Sequence, residues 1–404
     1  MRIELEQAIT LLCNALQPQQ QTQTMALTQA LHKHLARDIY APINVPAFNR
    51  AAMDGYAVVS TATIGASRAT PVTLTVVGEV MAGDSVILPS PSDPPQAVRI
   101  MTGAPIPDGY NAVLKQEDTD GGEQTVTIYA EIDPYTNYAR MGEDMRQDQL
   151  VMPKGTYLSA YHLGVLAGLG LFAVEVLCPL RVGVITTGNE LATTATSLSE
   201  GKIYDSNAHV LRGRLAELGV TLVFCETLAD DIPKISQLIA QRIDQIDLLI
   251  TTGGVSVGKL DILHDVVDTL GAERLFWQVN MRPGTPALAS VYRDKLIVSL
   301  SGNPYAALTT FELLFRPLLG RFFDSQRYQC QRRSAILVTD FSKASPQRRL
   351  VRGVYDPVAN TVSVASDAHQ SSVLFSMLGC NCFVDIPAGT PALGTGTTVE
   401  IVLI

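Results

Sequence analysis

The spacing of apolar residues in the first third of the chain changes from helical to strand-like. Residues 4–16 and 27–35 carry apolar residues at helical spacing and are separated by a Gln-rich loop at 17–23. Alternation typical of strands then begins near residue 57, with Pro- and Gly-rich loops between the segments 71–80, 96–104, 111–119 and 124–132. We expect two short helices followed by a small β-rich domain.

A nearly continuous apolar run occupies residues 158–177 and is long enough to span a membrane. It contains three glycines, His162 and Glu175, and it ends in strand-like alternation. These features favour a buried helix followed by a strand over a membrane span.

From residue 180 onward, strand patterns alternate with helix patterns. Buried strands are predicted at 181–188, 220–228, 246–254, 274–281 and 295–300. Helices are predicted at 206–218, with a Ser or Asn cap and Gly219 at its end, and at 232–243, 261–270 and 303–315. This series predicts a doubly wound, mostly parallel α/β sheet with helices on both faces. Short strands after residue 329 predict a β-barrel-like or sandwich tail.

Composition narrows the possible functions. The chain has 404 residues, a formal net charge of −9, 47% hydrophobic residues and 17% charged residues. These values predict two or three folded domains, exclude a disordered chain and argue against a nucleic-acid partner, but they leave small anionic ligands open. Six scattered cysteines without a C-x-x-C pair, and an N-terminus unlike a signal peptide, lead us to expect free thiols and a cytoplasmic protein without a membrane partner.

Candidate binding loops follow the strands of the predicted sheet, where open α/β sheets bind their ligands. Each loop alone is equally typical of a tight turn, but four loops at one edge favour a phosphate-bearing ligand. Neither a Walker A sequence nor a G-x-G-x-x-G fingerprint is present. The candidate binding residues in these loops are Gly188, Gly253, Gly254, Ser256, Gly258, Pro283, Gly302 and Asn303.

Carboxylates in the same loops have two interpretations. Glu190, Asp230, Asp231 and Asp261 all follow predicted strands. Each one alone is explained by helix capping or by a solvated loop, and capping is sufficient for Asp231. Together with phosphate-binding loops they suggest a Mg²⁺ site, because Mg²⁺ takes one or two carboxylates and phosphate oxygens.

The order of the short motifs identifies a family resemblance. AAMDGYAV, RIMTGAPIP, MGED, ITTGNEL, IYDSN, TTGGVSVGKLD, RPGTP, SGNPYAA and HQSSVLFSMLGCNCFV follow one another along the chain. In this order the chain resembles the molybdopterin molybdenumtransferase (MoeA) family, which includes the E domain of gephyrin. The resemblance covers nearly the whole chain.

The resemblance implies a homodimer of four-domain subunits. The expected domains are a discontinuous domain I (1–45 and 145–177), an inserted β-rich domain II (46–144), a MogA-like α/β domain III (178–326) and a C-terminal β domain IV (327–404). The implied reaction takes adenylylated molybdopterin and molybdate, releases AMP and leaves molybdenum on the pterin, with Mg²⁺ as cofactor.

The resemblance also assigns roles to residues. Asp54, Thr102 and Asp144 are similar to domain II residues that complete the catalytic site across the dimer. Glu190, Asp230 and Asp261 are similar to the family's catalytic and metal-binding acids. A molybdate pocket is implied for Arg282, Pro283, Arg352 and Ser372.

Four positions, in three motifs, depart from the family pattern. The motif that is usually K-P-G-K-P reads R-P-G-T-P at 282–286. Gln278 stands where a lysine frequently follows the tryptophan, and Ser301 stands in place of the first proline of P-G-N-P. The loss of two cations near a site for a dianion should weaken binding. The alternatives therefore include a molybdopterin-binding or scaffolding paralogue with reduced or lost turnover and, on fold analogy alone, another nucleotide-dependent transferase.

Overall fold

The structure is a computed structural model that describes residues 2–84, 90–192, 198–255, 262–364 and 370–404. The N-terminal part contains helices α1 (Leu5–Ala15) and α2 (Ala160–Gly168). Its strands are β1 (Thr22–Ala26), β2 (Ile39–Tyr40), β3 (Arg50–Ala51), β4 (Gly55–Val58), β5 (Val72–Val80), β6 (Gln96–Ile100), β7 (Ala112–Lys115), β8 (Thr125–Ile128), β9 (Tyr138–Ala139), β10 (Leu150–Met152) and β11 (Ala173–Leu177).

The expected β-rich unit is a five-stranded sheet in the order β7-β4-β6-β5-β8. The chain enters and leaves this unit side by side, because β1 pairs antiparallel with β11 and β2 with β10. Segments on either side of the sheet therefore pack together. The proposed domain boundaries stay predictions.

The expected second helix at residues 27–35 is wrong. Only a 3₁₀ turn at Leu27–Gln29 forms there. Beyond this turn the backbone forms hydrogen bonds with a segment that is distant in sequence. The amide of His32 donates to the carbonyl of Leu158, and the amide of Leu35 donates to the carbonyl of Thr156. Leu27 and Leu35 are nevertheless buried, so the apolar spacing located the core but not the backbone conformation.

Residues 158–177 form a helix and a strand, α2 and β11, as predicted. Among the described residues, no helix is long and apolar enough to cross a membrane. The helix is not buried as expected, since only Leu166 of α2 is fully covered. The side chains of Tyr161 and Phe172 are 88% and 71% exposed in the single chain.

The central part contains the predicted doubly wound sheet. Its strands are β12 (Arg181–Thr187), β13 (Leu191–Ala192), β14 (Ile203–Tyr204), β15 (Thr221–Leu228), β16 (Leu248–Thr252), β17 (Glu273–Trp277), β18 (Ala287–Tyr292) and β19 (Lys295–Leu300). Its helices are α3 (Ser206–Glu217), α4 (Ile232–Arg242), α5 (Ile262–Leu270), α6 (Pro304–Thr310) and α7 (Arg316–Phe323). Strands β13 and β14 form a separate pair, and the other six form the sheet.

The sheet order is β15-β12-β16-β19-β18-β17, with parallel pairing from β15 to β19 and antiparallel pairing for β17 and β18. Helices α4 and α5 pack on one face, and α1, α3, α6 and α7 pack on the other. The chain runs outward in opposite directions from β12, so the switch point lies between β12 and β16.

Three details of the central part differ from the predictions. Asp205 caps α3 by accepting a hydrogen bond from the amide of Ala208 at 2.9 Å, in place of a Ser or Asn cap. Strand β18 was missed, because its apolar residues follow a Pro-Gly turn without a new pattern. The helix predicted at 303–315 continues through a π-helical turn to Phe323. Asp231 caps α4, which confirms that interpretation of this carboxylate.

The C-terminal part is a closed barrel of β20 (Arg332–Leu337), β21 (Arg349–Asp356), β22 (Thr361–Val364), β23 (Cys382–Ile386) and β24 (Thr398–Leu403). The barrel has its own core around Val362 and Ile401. Leu350, Phe383 and Val402 face the other way and join the core of the central sheet. This shared core fixes the start of β21 against the carboxyl edge of the sheet.

Candidate functional site

A cleft of about 1330 Å³ lies at the carboxyl edge of the central sheet. The loops after β12, β16 and β19 form its floor, the start of α3 forms one wall, and the barrel forms the opposite wall. The cleft is therefore located where an open α/β sheet binds its ligand. Of the predicted site residues it is lined by Glu190, Gly253, Gly254, Arg282, Pro283, Gly302, Asn303 and Ser372.

The start of α3 is tied to the sheet by a polar network. The Asp205 carboxylate accepts hydrogen bonds from the hydroxyls of Thr186 at 2.5 Å and Thr227 at 3.1 Å. The amide group of Asn207 donates to Thr252 Oγ1 and to the carbonyl oxygen of Gly302, both at 2.9 Å. The backbone amides at the start of α3 are thereby held beside the cleft, where a helix N-terminus favours negative charge.

Thr187 and Gly253 form the tight corner at the switch point. Gly253 has a φ of +95°, and a Cβ atom there would lie 2.0 Å from the carbonyl oxygen of Thr187, so only glycine fits. The Thr187 side chain is 3% exposed, and within the described chain its hydroxyl has no hydrogen-bond partner. Because buried hydroxyls are normally hydrogen-bonded, this hydroxyl of a lining residue is an unused donor next to the cleft.

Two carboxylates lie in the neighbouring loops. The Glu190 carboxylate packs against the α-carbon of Gly188, where a Cβ atom would lie 2.6 Å from Glu190 Oε1. Gly188 itself is buried and does not line the cleft, so its role is to make room for Glu190. Asp230 is linked to the same loop, because its Oδ2 accepts from the amide of Asn189 at 3.3 Å and its own amide donates to Asn189 Oδ1 at 3.1 Å.

The barrel side of the cleft is basic. Arg282 lines it and is followed by the Pro283–Pro286 turn, in which the Thr285 hydroxyl donates to the carbonyl of Met281 at 2.5 Å. Gln278 accepts a hydrogen bond from Arg2 Nε at 3.0 Å. The two positions at which a cation usual in the family is missing, Gln278 and Thr285, are therefore engaged in contacts within this chain.

Arg352 lies behind the cleft wall, since its side chain is only 3% exposed and does not line the cleft. Its guanidinium donates to the carbonyl oxygens of Val373 and Gln370 and stacks 3.8 Å above the ring of Tyr305. It thereby holds the segment that carries Ser372 against the start of α6. Burial, only partly offset by Tyr305, lowers the pKa of Arg352 below its ordinary value.

Three further basic residues line the cleft and were missed by the sequence analysis: Arg2, Lys343 and Arg349. They belong to no recognisable motif and come from both ends of the chain. A β-bridge between Arg282 and Arg349 could not be anticipated from a separation of 67 residues. Asp205 and Asn207 lie in the IYDSN motif, which marked the position without indicating their roles.

The three predicted residues of the N-terminal half lie apart from this cleft. Oδ1 of Asp54 accepts hydrogen bonds from the amide and the hydroxyl of Thr102, both at 2.7 Å, and these bonds lower the pKa of Asp54. Asp144 is an exposed turn residue whose amide donates to the carbonyl of Val45. None of the three lines the cleft of its own chain. Ser256, Gly258 and Asp261 lie outside the described residues.

The charge distribution of the cleft is opposite to that of the chain. Of the residues that the structure describes, four basic ones and two acidic ones, Glu190 and Asp205, line it, although the chain carries a net charge of −9. The carboxylates lie at the sheet edge and the guanidiniums on the barrel side. Such a cleft can hold a small anion at one end and a cation-bridged phosphate at the other.

These features define a multidomain α/β protein with a basic cleft at the switch point of its sheet. The chain matches the MoeA N-terminal region (domain I and II) at residues 3–170, a probable molybdopterin binding domain at 183–321 and the MoeA C-terminal region (domain IV) at 334–404. It therefore belongs to the MoeA family, as the motifs predicted.

Relatives of known name support the assignment. The chain is 34% identical to the molybdopterin molybdenumtransferase of Bacillus subtilis over all of this chain and 94% of that protein. It is 35% identical to molybdopterin molybdenumtransferase 2 of Mycobacterium tuberculosis over 94% of each chain. The crystal structure of the molybdopterin biosynthesis moeA protein from Pyrococcus horikoshii OT3 superposes with a TM-score of 0.86 at 26% identity, covering both chains completely.

Proposed function

We propose that this chain is a molybdopterin molybdenumtransferase, which takes adenylylated molybdopterin and molybdate, releases AMP and leaves molybdenum on the pterin. The observation that carries the proposal is the division of the cleft into an acidic edge, at Glu190, and a basic wall, at Arg282. The reaction needs both, because one substrate carries a pyrophosphate and the other is a tetrahedral dianion. The names of the relatives support the same transfer.

The residues at the sheet edge bind and orient the phosphorylated substrate. The hydroxyl of Thr187 and the amides of α3 that precede Ala208 donate to phosphate oxygens, and the Gly253 turn leaves room for the phosphate to approach. Arg282 and the exposed hydroxyl of Ser372 face the basic end. They hold the oxyanion near the pterin.

Mg²⁺ fits the carboxylates of this edge. Glu190 and Asp230 offer hard oxygen ligands, and Asp230 Oδ1 is buried without a hydrogen-bond partner among the described residues. In the same ranges no three His, Cys, Asp or Glu side chains converge, but Mg²⁺ needs only one or two carboxylates beside phosphate oxygens and water. Glu190 and Asp230 would hold the ion, which supplies positive charge to the phosphates as the P–O bond breaks.

The direct test is AMP release by the purified chain supplied with adenylylated molybdopterin, molybdate and MgCl₂. We expect AMP formation that depends on molybdate and on active protein, and molybdenum that stays with the pterin. Absence of AMP above a heat-inactivated control, with intact substrate recovered, would reject the proposed reaction.

A second copy of the chain is proposed to complete the site. Asp54, Thr102 and Asp144 do not line the cleft of their own chain, and large apolar side chains such as Tyr161 are exposed in the single chain. A symmetric dimer would cover such a surface and bring the β-rich sheet of one chain to the cleft of the other.

Mixed dimers test this arrangement. Asp54→Asn and Glu190→Gln are each expected to abolish most AMP release. If Asp54 acts in the partner's cleft, one site of each mixed dimer is wild type, so co-refolding equal amounts should restore about a quarter of wild-type activity. No recovery, in a sample shown to contain mixed dimers, would place Asp54 in the same catalytic site as Glu190 of its own chain. A fully active Asp54→Asn protein would instead place Asp54 outside the reaction.

One observation favours the alternative of a binding paralogue with reduced turnover: the side chains of Gln278 and Thr285, in the basic wall, are used in contacts within the chain. Gln278 accepts from Arg2, and the Thr285 hydroxyl donates to a backbone carbonyl, so neither supplies a cation. If these replacements impair the site, the double variant Gln278→Lys, Thr285→Lys should raise AMP release about tenfold or more, as expected for restored charge-assisted contacts. Unchanged turnover in a folded double variant means that the site works as it stands.

A further inference from the structure

Two arginines lie side by side in the basic wall. Arg282 and Arg349 form a parallel β-bridge, in which the amide of Arg282 donates to the carbonyl of Arg348 and the amide of Leu350 donates to the carbonyl of Arg282, both at 2.9 Å. Bridged chains run roughly 5 Å apart, and paired residues direct their side chains to the same face. Both residues line the cleft.

No carboxylate of the described residues neutralises either guanidinium. In the described part of the chain, no Asp or Glu lies within ion-pair distance of Arg282 or Arg349. By contrast, the adjacent Arg348 pairs with both Asp385 and Glu6. The chain thus directs one arginine of the Arg348–Arg349 pair into an ion-pair network and the next one into the cleft.

The environment of Arg349 is unfavourable without a ligand. Its Nε is buried and has no hydrogen-bond partner among the described residues. The guanidinium lies 5.6 Å from the centre of the Phe341 ring, a favourable cation–π contact that satisfies no N–H donor. Burial, followed by the nearby charge of Arg282, lowers the pKa of Arg349. Two like charges held together beside an unused donor are destabilising, unless an anion binds between them.

We propose that Arg349 is a further substrate-binding residue, which together with Arg282 forms a paired guanidinium site for a tetrahedral oxyanion with two negative charges. The inference rests on the proposed function and adds a residue to its basic end. A guanidinium presents a planar set of N–H donors that matches two oxygens of such an anion. Two guanidiniums can therefore contact three or four of its oxygens and balance its charge.

This pair also accounts for a departure from the family pattern. The R-P-G-T-P turn lacks its second usual cation, and the hydroxyl of Thr285 is used within the turn. Arg349, which comes from the barrel, restores a second positive charge beside Arg282. Arg282 and Arg349 thus place two cations side by side in the basic wall.

The test measures anion binding in place of turnover. Equilibrium dialysis of the full-length protein with molybdate, and separately with AMP, gives the dissociation constant for a free oxyanion and for a phosphate ester. The variants are Arg349→Gln, Arg349→Lys and Arg282→Gln. Arg333→Gln serves as the control, because Arg333 is exposed on the barrel strand β20 and does not line the cleft.

We expect Arg349→Gln to weaken binding of one of the two anions about tenfold, the size of one lost charge-assisted contact. Arg349→Lys should recover part of the loss, because it keeps the charge but not the planar donor set. The loss should shrink at high salt, and Arg333→Gln should bind as the wild type does. The anion that is affected identifies whether the pair binds free oxyanion or the phosphate.

Two results would overturn the inference, and they differ in what they mean. Unchanged affinity of Arg349→Gln for both anions, while Arg282→Gln loses affinity, removes Arg349 from the site and leaves the proposed function intact. Failure of the wild-type protein to bind either anion rejects the proposed function as well. Thermal unfolding of each variant confirms that any loss is local.

Discussion

Replacement of Glu190 by Gln is expected to lower AMP release about a hundredfold, which corresponds to about 2.7 kcal/mol of the activation barrier. The Glu190 carboxylate packs against Gly188 and lines the cleft, and Gln has nearly the same shape. The substitution therefore removes the negative charge and leaves the packing. If this charge holds Mg²⁺, the variant should also need a higher MgCl₂ concentration for half-maximal rate.

Glu273→Gln is the matched control, because Glu273 is exposed at the start of β17 and does not line the cleft. It should leave both the rate and the MgCl₂ dependence unchanged. A Glu190→Gln protein that releases AMP within threefold of the wild-type rate at every MgCl₂ concentration would remove Glu190 from the catalytic machinery. The measurement is single-turnover AMP formation.

Replacement of Asp385 by Asn is expected to lower the free energy of unfolding by about 3 kcal/mol. The Asp385 side chain, in a residue that is 6% exposed, accepts hydrogen bonds from Arg348 at 2.6 and 2.8 Å and from Arg332 at 2.8 Å. Arg348 also contacts Glu6 of α1, so the network joins the barrel to the N-terminal helix. Without the carboxylate, two partly buried guanidiniums lose their main partner.

The pH dependence follows from the same pairing. Burial alone would raise the pKa of Asp385, but the hydrogen bonds and charge of Arg348, together with those of Arg332, outweigh it and lower the pKa. A carboxylate with a lowered folded-state pKa stabilises the protein above its unfolded pKa and loses this contribution as the pH falls through the folded value. The difference in free energy of unfolding between wild type and Asp385→Asn should therefore be constant near neutral pH. It should decrease as the pH falls below about 4.

Glu400→Gln controls for a surface partner of the same arginine. Glu400 contacts Arg332 from a half-exposed position, so its loss should cost about 1 kcal/mol or less. Differential scanning calorimetry of the three proteins gives the comparison. An Asp385→Asn protein as stable as Glu400→Gln at neutral pH would contradict a stabilising role for the buried network.

The order of strands and helices in the central part was predictable, because strands that are buried on both faces of a sheet appear in the sequence as continuous apolar runs. Strands such as Arg181–Thr187 and Leu248–Thr252 are continuous apolar runs that end in Thr-Gly turns, and the intervening helices carry caps and terminal glycines. The prediction failed where local pattern and tertiary pairing disagree. Residues 27–35 have helical spacing, but the amides of His32 and Leu35 bond to a strand-like segment more than a hundred residues away.

The candidate site was predictable in part for a similar reason. Glu190, Gly253 and Gly302 could be named from the sequence, because the loops after parallel strands share one edge of the sheet. Arg349 could not, because its neighbour Arg348 has the same chemistry, and only the barrel's orientation separates an ion-pair arginine from a cleft arginine. The sequence also could not place Arg352 behind the wall.

The sequence by itself determined the family, the doubly wound sheet and the loops that form the floor of the cleft, since these depend on residues close together in the chain and on an edge geometry that all parallel sheets share. Only the tertiary structure decided the basic wall. The barrel packs through Leu350 and Phe383 onto the core of the sheet, and this packing brings Arg349 beside Arg282. Asp54, in the β-rich unit, does not line the cleft of its own chain. Long-range packing sets which charges meet, and no local pattern encodes it.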